Sequence, residues 1–125
     1  MLKTSKFILC VCQYGHSRSV ALAREFHKRA IPAVAVGVVT AGPAGEVLMR
    51  EAAAICLLDY ALRGSIPGGY GAKVDSFHVG PDRWVNPYNT ELAGILSKMV
   101  DEKLAVPAGS EGPLAAAVAE MRVGK

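Results

Sequence analysis

Phe7-Ile8-Leu9-Cys10-Val11 is an unbroken apolar run that stops at Cys12-Gln13-Tyr14-Gly15. With Cys12 it is too short for a secretory hydrophobic region or a membrane span. A run this short and this uniformly apolar suits a central strand buried on both faces, as in a parallel sheet. Parallel neighbours need crossover connections, so the remainder of the chain has to alternate strands with helices.

It does so. After a polar loop, residues 19–30 carry Val20, Ala23, Phe26 and Ala30 on one helical stripe and Arg24, Glu25, Lys28 and Arg29 on the other side. Pro32 ends that helix. Residues 33–39, rich in valine, predict a second strand, residues 44–53 a short helix, and residues 54–58 (Ala-Ile-Cys-Leu-Leu) a third strand. The Gly- and Pro-rich stretch 63–73 reads as a mobile loop. Residues 74–79 alternate as a fourth strand, with Val74, Ser76 and His78 on one side and Phe77 and Val79 on the other. Leu92, Ile95, Leu96, Met99, Val100 and Leu104 mark the clearest helix, with Asn89 or Thr90 as its N-cap. The expected architecture is a three-layer α/β domain over residues 1–104, with a four-stranded, mainly parallel sheet between helices and right-handed crossovers. Residues 105–125 read as a linker, 106–113, followed by a short alanine-rich helix at 114–123 that docks or frays.

Bulk properties narrow the function classes. A chain of 125 residues, 51% hydrophobic and 20% charged, is globular in composition and sized for one domain. The net charge of +3 is spread along the sequence, which argues against nucleic acid as a partner and mildly favours an anionic substrate. Nothing suggests a membrane partner. Three cysteines without regular spacing do not make a disulfide framework, so a reducing, cytoplasmic location is expected. No His/Cys/Asp spacing suggests a metal, and no cofactor is expected.

In an α/β sheet the ligand crevice lies at the carboxyl ends of the strands. That places chemistry on the loop after the first strand, Cys12-Gln13-Tyr14-Gly15-His16-Ser17-Arg18-Ser19, a Cys-x5-Arg-Ser segment. A loop wrapped round a phosphate points successive N–H groups of Gln13, Tyr14, Gly15, His16 and Ser17 inward, making an anion nest closed by the helix N-terminus. Gly15 permits the twist this requires. Converging N–H dipoles favour the Cys12 thiolate, the candidate nucleophile. Arg18 is placed to grip two phosphoryl oxygens, and Ser19 to cap the helix and donate a hydrogen bond to the cysteine sulfur. Protonating a departing oxygen needs an acid, and Asp82, past the fourth strand, is the candidate; its plain alternative is to open a turn after Pro81.

The loop with its flanks, Phe7-Ile8-Leu9-Cys10-Val11-Cys12 through Arg18-Ser19-Val20-Ala21-Leu22-Ala23, resembles the low-molecular-weight protein tyrosine phosphatases, and more closely the short predicted tyrosine phosphatases of bacteria and phages. Pro81-Asp82-Arg83-Trp84, with Asn86-Pro87 and Glu91-Leu92, is similar to the segment before their last helix. The resemblance implies a four-stranded parallel sheet, metal-free dephosphorylation through a phosphocysteine, and Asp82 as the general acid. Phosphotyrosine on a protein or a small aryl phosphate is the expected substrate, a choice the resemblance does not decide. The chain departs from that family where His16 and Ser17 replace Asn and a second Cys, and where Asp82 follows Pro81 instead of preceding a proline.

Other readings stay open at this stage. Arsenate reduction needs resolving cysteines, and only Cys10 and Cys56 are available. Phosphate carriage, as in the sugar-transport B subunits, does without an arginine at this spacing. A catalytically silent phosphate- or phosphoprotein-binding module would keep the loop and lack turnover. Cys10 and Cys56 read as core residues. Tyr14 and His16 are candidates for the pocket mouth, Trp84 and Tyr88 for an aromatic wall or for packing beneath the last helix, and Asp59 for substrate binding or a helix cap.

Overall fold

The computed structural model of the chain describes residues 6–81, 83–105 and 112–123. The apolar run forms β1 (Ile8–Cys12), every residue of it buried. Its alternation serves both faces: Ile8, Cys10 and Cys12 enter one core cluster, and Leu9 and Val11 the other. The elements that follow are α1 (Arg18–Lys28), β2 (Ala33–Gly37), α2 (Pro43–Glu51), β3 (Ala54–Leu57), two 3-10 segments (Tyr60–Ser65 and Gly68–Lys73), β4 (Val74–Ser76), α3 (Thr90–Leu104) and α4 (Pro113–Val123). The sheet is four-stranded, as the sequence patterning predicts, and all parallel, in the order β2-β1-β3-β4. The chain leaves β1 toward β2 on one side and later returns to β3 on the other, so the crevice lies at the carboxyl ends of β1 and β3.

One face of the sheet carries α1, α3 and α4 over Leu22, Phe26, Phe77, Leu92, Leu96 and Leu114; the other carries α2 and the 3-10 segments over Leu9, Val11, Met49, Ile55 and Leu57. Helix α1 ends in a paired turn. Ile31 N–H donates to the Phe26 carbonyl and Ala30 N–H to that of His27, with Ala30 at φ 59. This is a Schellman cap with alanine where glycine is usual, ahead of Pro32. The buried face of α1 is rotated from the expected stripe: Ala21 and Leu22 join Ala23 and Phe26, Val20 is half-buried and Ala30 exposed, and Glu25, expected to face out, is buried with Lys28 and Arg29 on its carboxylate. Arg29 also reaches Asp101 at 2.9 Å and the Ser97 hydroxyl at 3.0 Å, which ties α1 to α3.

The sequence expectations change in detail at β4 and at 63–73, and of the two outcomes expected for the tail one is realised. Strand β4 stops at Ser76, although Phe77 N–H and Val79 N–H still donate to the carbonyls of Leu57 and Leu58 beyond the regular ladder. Stretch 63–73 is largely 3-10 structure, and Lys73 at its end donates to the carbonyls of Arg50 and Ala52 at the C-terminus of α2. The alanine-rich end docks as α4: Leu114 and Val118 join the main core, and the Asp75 carboxylate accepts both the Leu114 N–H at 3.1 Å and the Lys103 ammonium at 2.7 Å. The expected linker falls mostly on residues 106–111, outside the described residues.

Because Leu114 is fully buried, Leu114→Ala is expected to lower unfolding free energy by about 2–4 kcal/mol in urea denaturation. A tail that only frays predicts no change.

Candidate active site

The loop after β1 is held from outside by the chain that continues β2. Val38 N–H donates to the Cys12 carbonyl at 3.0 Å, Val39 N–H to the Gln13 carbonyl at 3.0 Å, and the Thr40 hydroxyl to the Tyr14 carbonyl at 3.1 Å. In a planar trans peptide the carbonyl of one residue and the N–H of the next point in opposite directions. Pulling these three carbonyls toward β2 therefore turns the amides of Gln13, Tyr14 and Gly15 the other way. The last of them shows the result directly, since Gly15 N–H donates to Cys12 Sγ at 3.1 Å. Gly15 sits at φ 76, and a Cβ there would lie 2.8 Å from the Gly37 nitrogen. A Cβ on Gly37 would lie 2.2 Å from the Tyr14 carbonyl carbon. Two glycines from separate elements thus allow two backbones to touch.

Cys12 closes β1 with 2% of its surface exposed, and its Sγ lies 3.0 Å from the Ser19 Oγ. A hydroxyl at this distance donates to the sulfur when it is ionised and offsets part of that charge. The expected capping role of Ser19 is not what the structure shows: Ser19 is the second residue of α1, Ser17 holds the N-cap position, and the Ser17 side chain makes no cap bond. The first turn of α1 therefore has no side-chain cap, an arrangement that leaves its amides available to an anion.

Arg18 opens α1 and is 2% exposed. Its Nη1 donates to the Gly80 carbonyl at 2.6 Å and to Asp59 Oδ2 at 3.3 Å. Its Nε has no partner, the sole buried side-chain nitrogen or oxygen in that state among the described residues. A buried guanidinium nitrogen without an acceptor is unfavourable, and an oxyanion supplied from solvent removes the penalty. Asp59, the residue open to two roles from sequence, takes the capping role: Oδ1 accepts the Ala61 N–H at 3.0 Å at the start of the first 3-10 segment, while Oδ2 meets Arg18. Beside it, His78 Nδ1 accepts the Tyr60 N–H at 2.7 Å.

Above these groups is an open cavity of about 480 Å³ lined by Cys12, Tyr14, His16, Ser17, Arg18, Val85 and Pro87. Tyr14 and His16 stack with centroids 6.4 Å apart on one rim. Val85 is 78% exposed at φ 56, a left-handed backbone that a β-branched side chain rarely adopts. Trp84 lies under α3 with its indole N–H on Glu91 at 2.8 Å, and Arg24 covers Tyr88 at 4.4 Å. Neither aromatic lines the cavity; Val85 and Pro87 take the place expected of them. Gln13 is exposed and outside the lining, and Asp82 lies outside the described residues. Gly37, Gly80 and Val85 were not singled out from the sequence. Their importance comes from a remote backbone contact and from positive φ, which no local motif signals.

Cys10 and Cys56 are register partners on β1 and β3, both completely buried. Burial pushes both thiols up; the Cys12 sulfur adds to this for Cys10, and Cys10 and Asp75 add to it for Cys56. No described helix is long and apolar enough to cross a membrane. No family model matches the chain, and neither a curated protein nor a solved structure matches it significantly.

Iodoacetamide is expected to alkylate Cys12 in the folded protein while Cys10 and Cys56 stay unlabelled, as read by peptide mass spectrometry. Labelling of all three at similar rates would contradict the placement of the thiols. Gly37→Ala forces the loop off its strand and is expected to slow Cys12 alkylation at least about tenfold, with a lower melting temperature.

Proposed function

We propose that the chain is a cysteine-dependent phosphomonoester hydrolase of the protein tyrosine phosphatase type. The observation that carries this reading is the unpartnered, buried Nε of Arg18, a residue lining the same cavity as Cys12, whose sulfur already receives Gly15 N–H and contacts Ser19. Such a site has a place for a tetrahedral dianion and a nucleophile beneath it.

In the proposed reaction the Cys12 thiolate attacks phosphorus as the ester oxygen departs in line. Arg18 and the turned loop amides hold the equatorial oxygens, whose charge they stabilise most as the P–O bond breaks. The acid that protonates the leaving oxygen is assigned to Asp82, which the sequence places after β4. Water then attacks the phosphocysteine, the S–P bond breaks, and inorganic phosphate leaves with the thiolate restored. Ser19 stabilises the sulfur as it leaves. No metal or cofactor enters the scheme. Tyr14, Val85 and Pro87 give the cavity an apolar rim that suits an aryl group, on a phosphotyrosine protein or a small aryl phosphate.

Arsenate reduction is disfavoured by the depth of Cys10 and Cys56, because a resolving thiol has to reach the oxidised sulfur as a thiolate. A silent phosphate-binding module shares the cradle and differs only in turnover, so activity separates the two.

Hydrolysis of p-nitrophenyl phosphate without added metal, inhibited by orthovanadate, is the expected activity. Cys12→Ser should abolish it, and Arg18→Ala should lower kcat roughly 10²–10³-fold. Vanadate binding without turnover would replace hydrolysis by the binding-module reading. Asp82→Asn is expected to slow poor leaving groups far more than p-nitrophenol; equal slowing removes Asp82 from the acid role.

A further inference from the structure

We infer that Asp59 is a positioning residue for Arg18: its carboxylate and the Gly80 carbonyl form a two-point clamp that aims the guanidinium so that Nε faces the oxyanion. The inference deepens the phosphatase reading and rests on it.

The geometry of the two acceptors carries the argument. An arginine side chain has several rotatable bonds, and its guanidinium is planar, so fixing one end of the plane fixes the direction of the rest. Nη1 carries two hydrogens, and both find acceptors, Gly80 O at 2.6 Å and Asp59 Oδ2 at 3.3 Å. Neither acceptor belongs to the loop or to α1. Asp59 follows β3, and Gly80 lies in the segment beyond β4, so two strand ends that never touch the sulfur set the direction of the arginine.

Each acceptor is itself immobilised. The Asp59 side chain is 16% exposed, and its other oxygen is held by Ala61 N–H, so the carboxylate cannot swing after a moving guanidinium. Gly80 sits at φ 82 with open space where a Cβ would be, so what its glycine supplies is backbone conformation and not clearance. A salt bridge serving stability alone has no reason to leave the buried Nε of a 2% exposed arginine unpartnered. A clamp serving an incoming anion has to.

Clamping and helix capping by Asp59 are separable. Asp59→Ser keeps an oxygen able to accept the Ala61 N–H but is too short to reach Arg18. Asp59→Asn removes the charge and one of the two acceptors, so its single oxygen can serve Ala61 N–H or Arg18 but not both. The anion site is read at Cys12 as the ratio of alkylation rates by iodoacetate, whose carboxylate Arg18 seats, and by neutral iodoacetamide. Orthovanadate affinity by calorimetry and the melting temperature complete the set. Asp59→Ser is expected to melt near wild type and to lower the iodoacetate preference and the vanadate affinity about tenfold, and Asp59→Asn to recover at most part of that loss, because its amide nitrogen faces a second donor. In an Arg18→Met background Asp59→Ser should change the alkylation ratio no further. An unchanged ratio in Asp59→Ser, or an equal drop in both backgrounds, would overturn the positioning role. Absence of both vanadate binding and iodoacetate preference in the wild-type protein would remove the oxyanion reading, and the clamp with it; that pattern is distinct from the other two.

Discussion

The orientation of three peptide planes governs the rest of the site. Residues 38–40 take the carbonyls of Cys12, Gln13 and Tyr14 and so decide where the following amides point. That contact exists only because β2 lies directly beside β1 in parallel register, with Cys12 opposite Gly37. It also needs both Gly15 and Gly37 to lack a side chain. Sheet order, strand register and two missing Cβ atoms therefore converge on one loop conformation. The long apolar run of β1, buried on both faces, anchors that register in the middle of the sheet.

Arg18 is the costly component. A guanidinium with 2% exposure has given up its hydration, and the fold returns only part of what was lost, through one carbonyl and one carboxylate on a single nitrogen. The remaining deficit is localised at Nε, directed by the geometry of its neighbours and not by the loop itself. An unpartnered buried donor of this kind is characteristic of sites that bind a ligand. Ser19 and Gly15 play the corresponding part for the sulfur, with contacts in place before any ligand is present.

Much of this was legible in the sequence because the signals are local. The period of residues 7–11, the turn chemistry at Gly15 and the Asn89 cap, whose Oδ1 accepts the Leu92 N–H at 3.1 Å, all follow from neighbours along the chain. The stripe expected on α1 is only half right: Ala23 and Phe26 are buried, but Val20 is half-buried, Ala30 is exposed beyond the helix, and Ala21 and Leu22 share the buried face instead. The sheet and its parallel sense follow from alternating strand and helix patterns. What was hidden depends on distant partners. Glu25 shares the buried face of α1 with Arg18, Ala21 and Leu22, and its carboxylate is met there by Arg29, which α3 also holds. Gly37 reads as an ordinary strand end until Tyr14 lies against it. Asp59 could be given two roles from sequence, and only the arrival of Arg18 from α1 shows that it uses one oxygen for each of two partners. The helix at the C-terminus had an apolar pattern, but its anchor, Asp75, lies on β4.

The most direct test of the account is diffraction from crystals soaked in tungstate, a tetrahedral dianion. The account predicts the metal atom centred over Cys12 Sγ, with an oxygen in hydrogen-bond range of Arg18 Nε and with Nη1 still on Asp59 and Gly80. Tungstate bound elsewhere, or an Arg18 whose Nε has turned to a protein acceptor while the cradle stays empty, would contradict it.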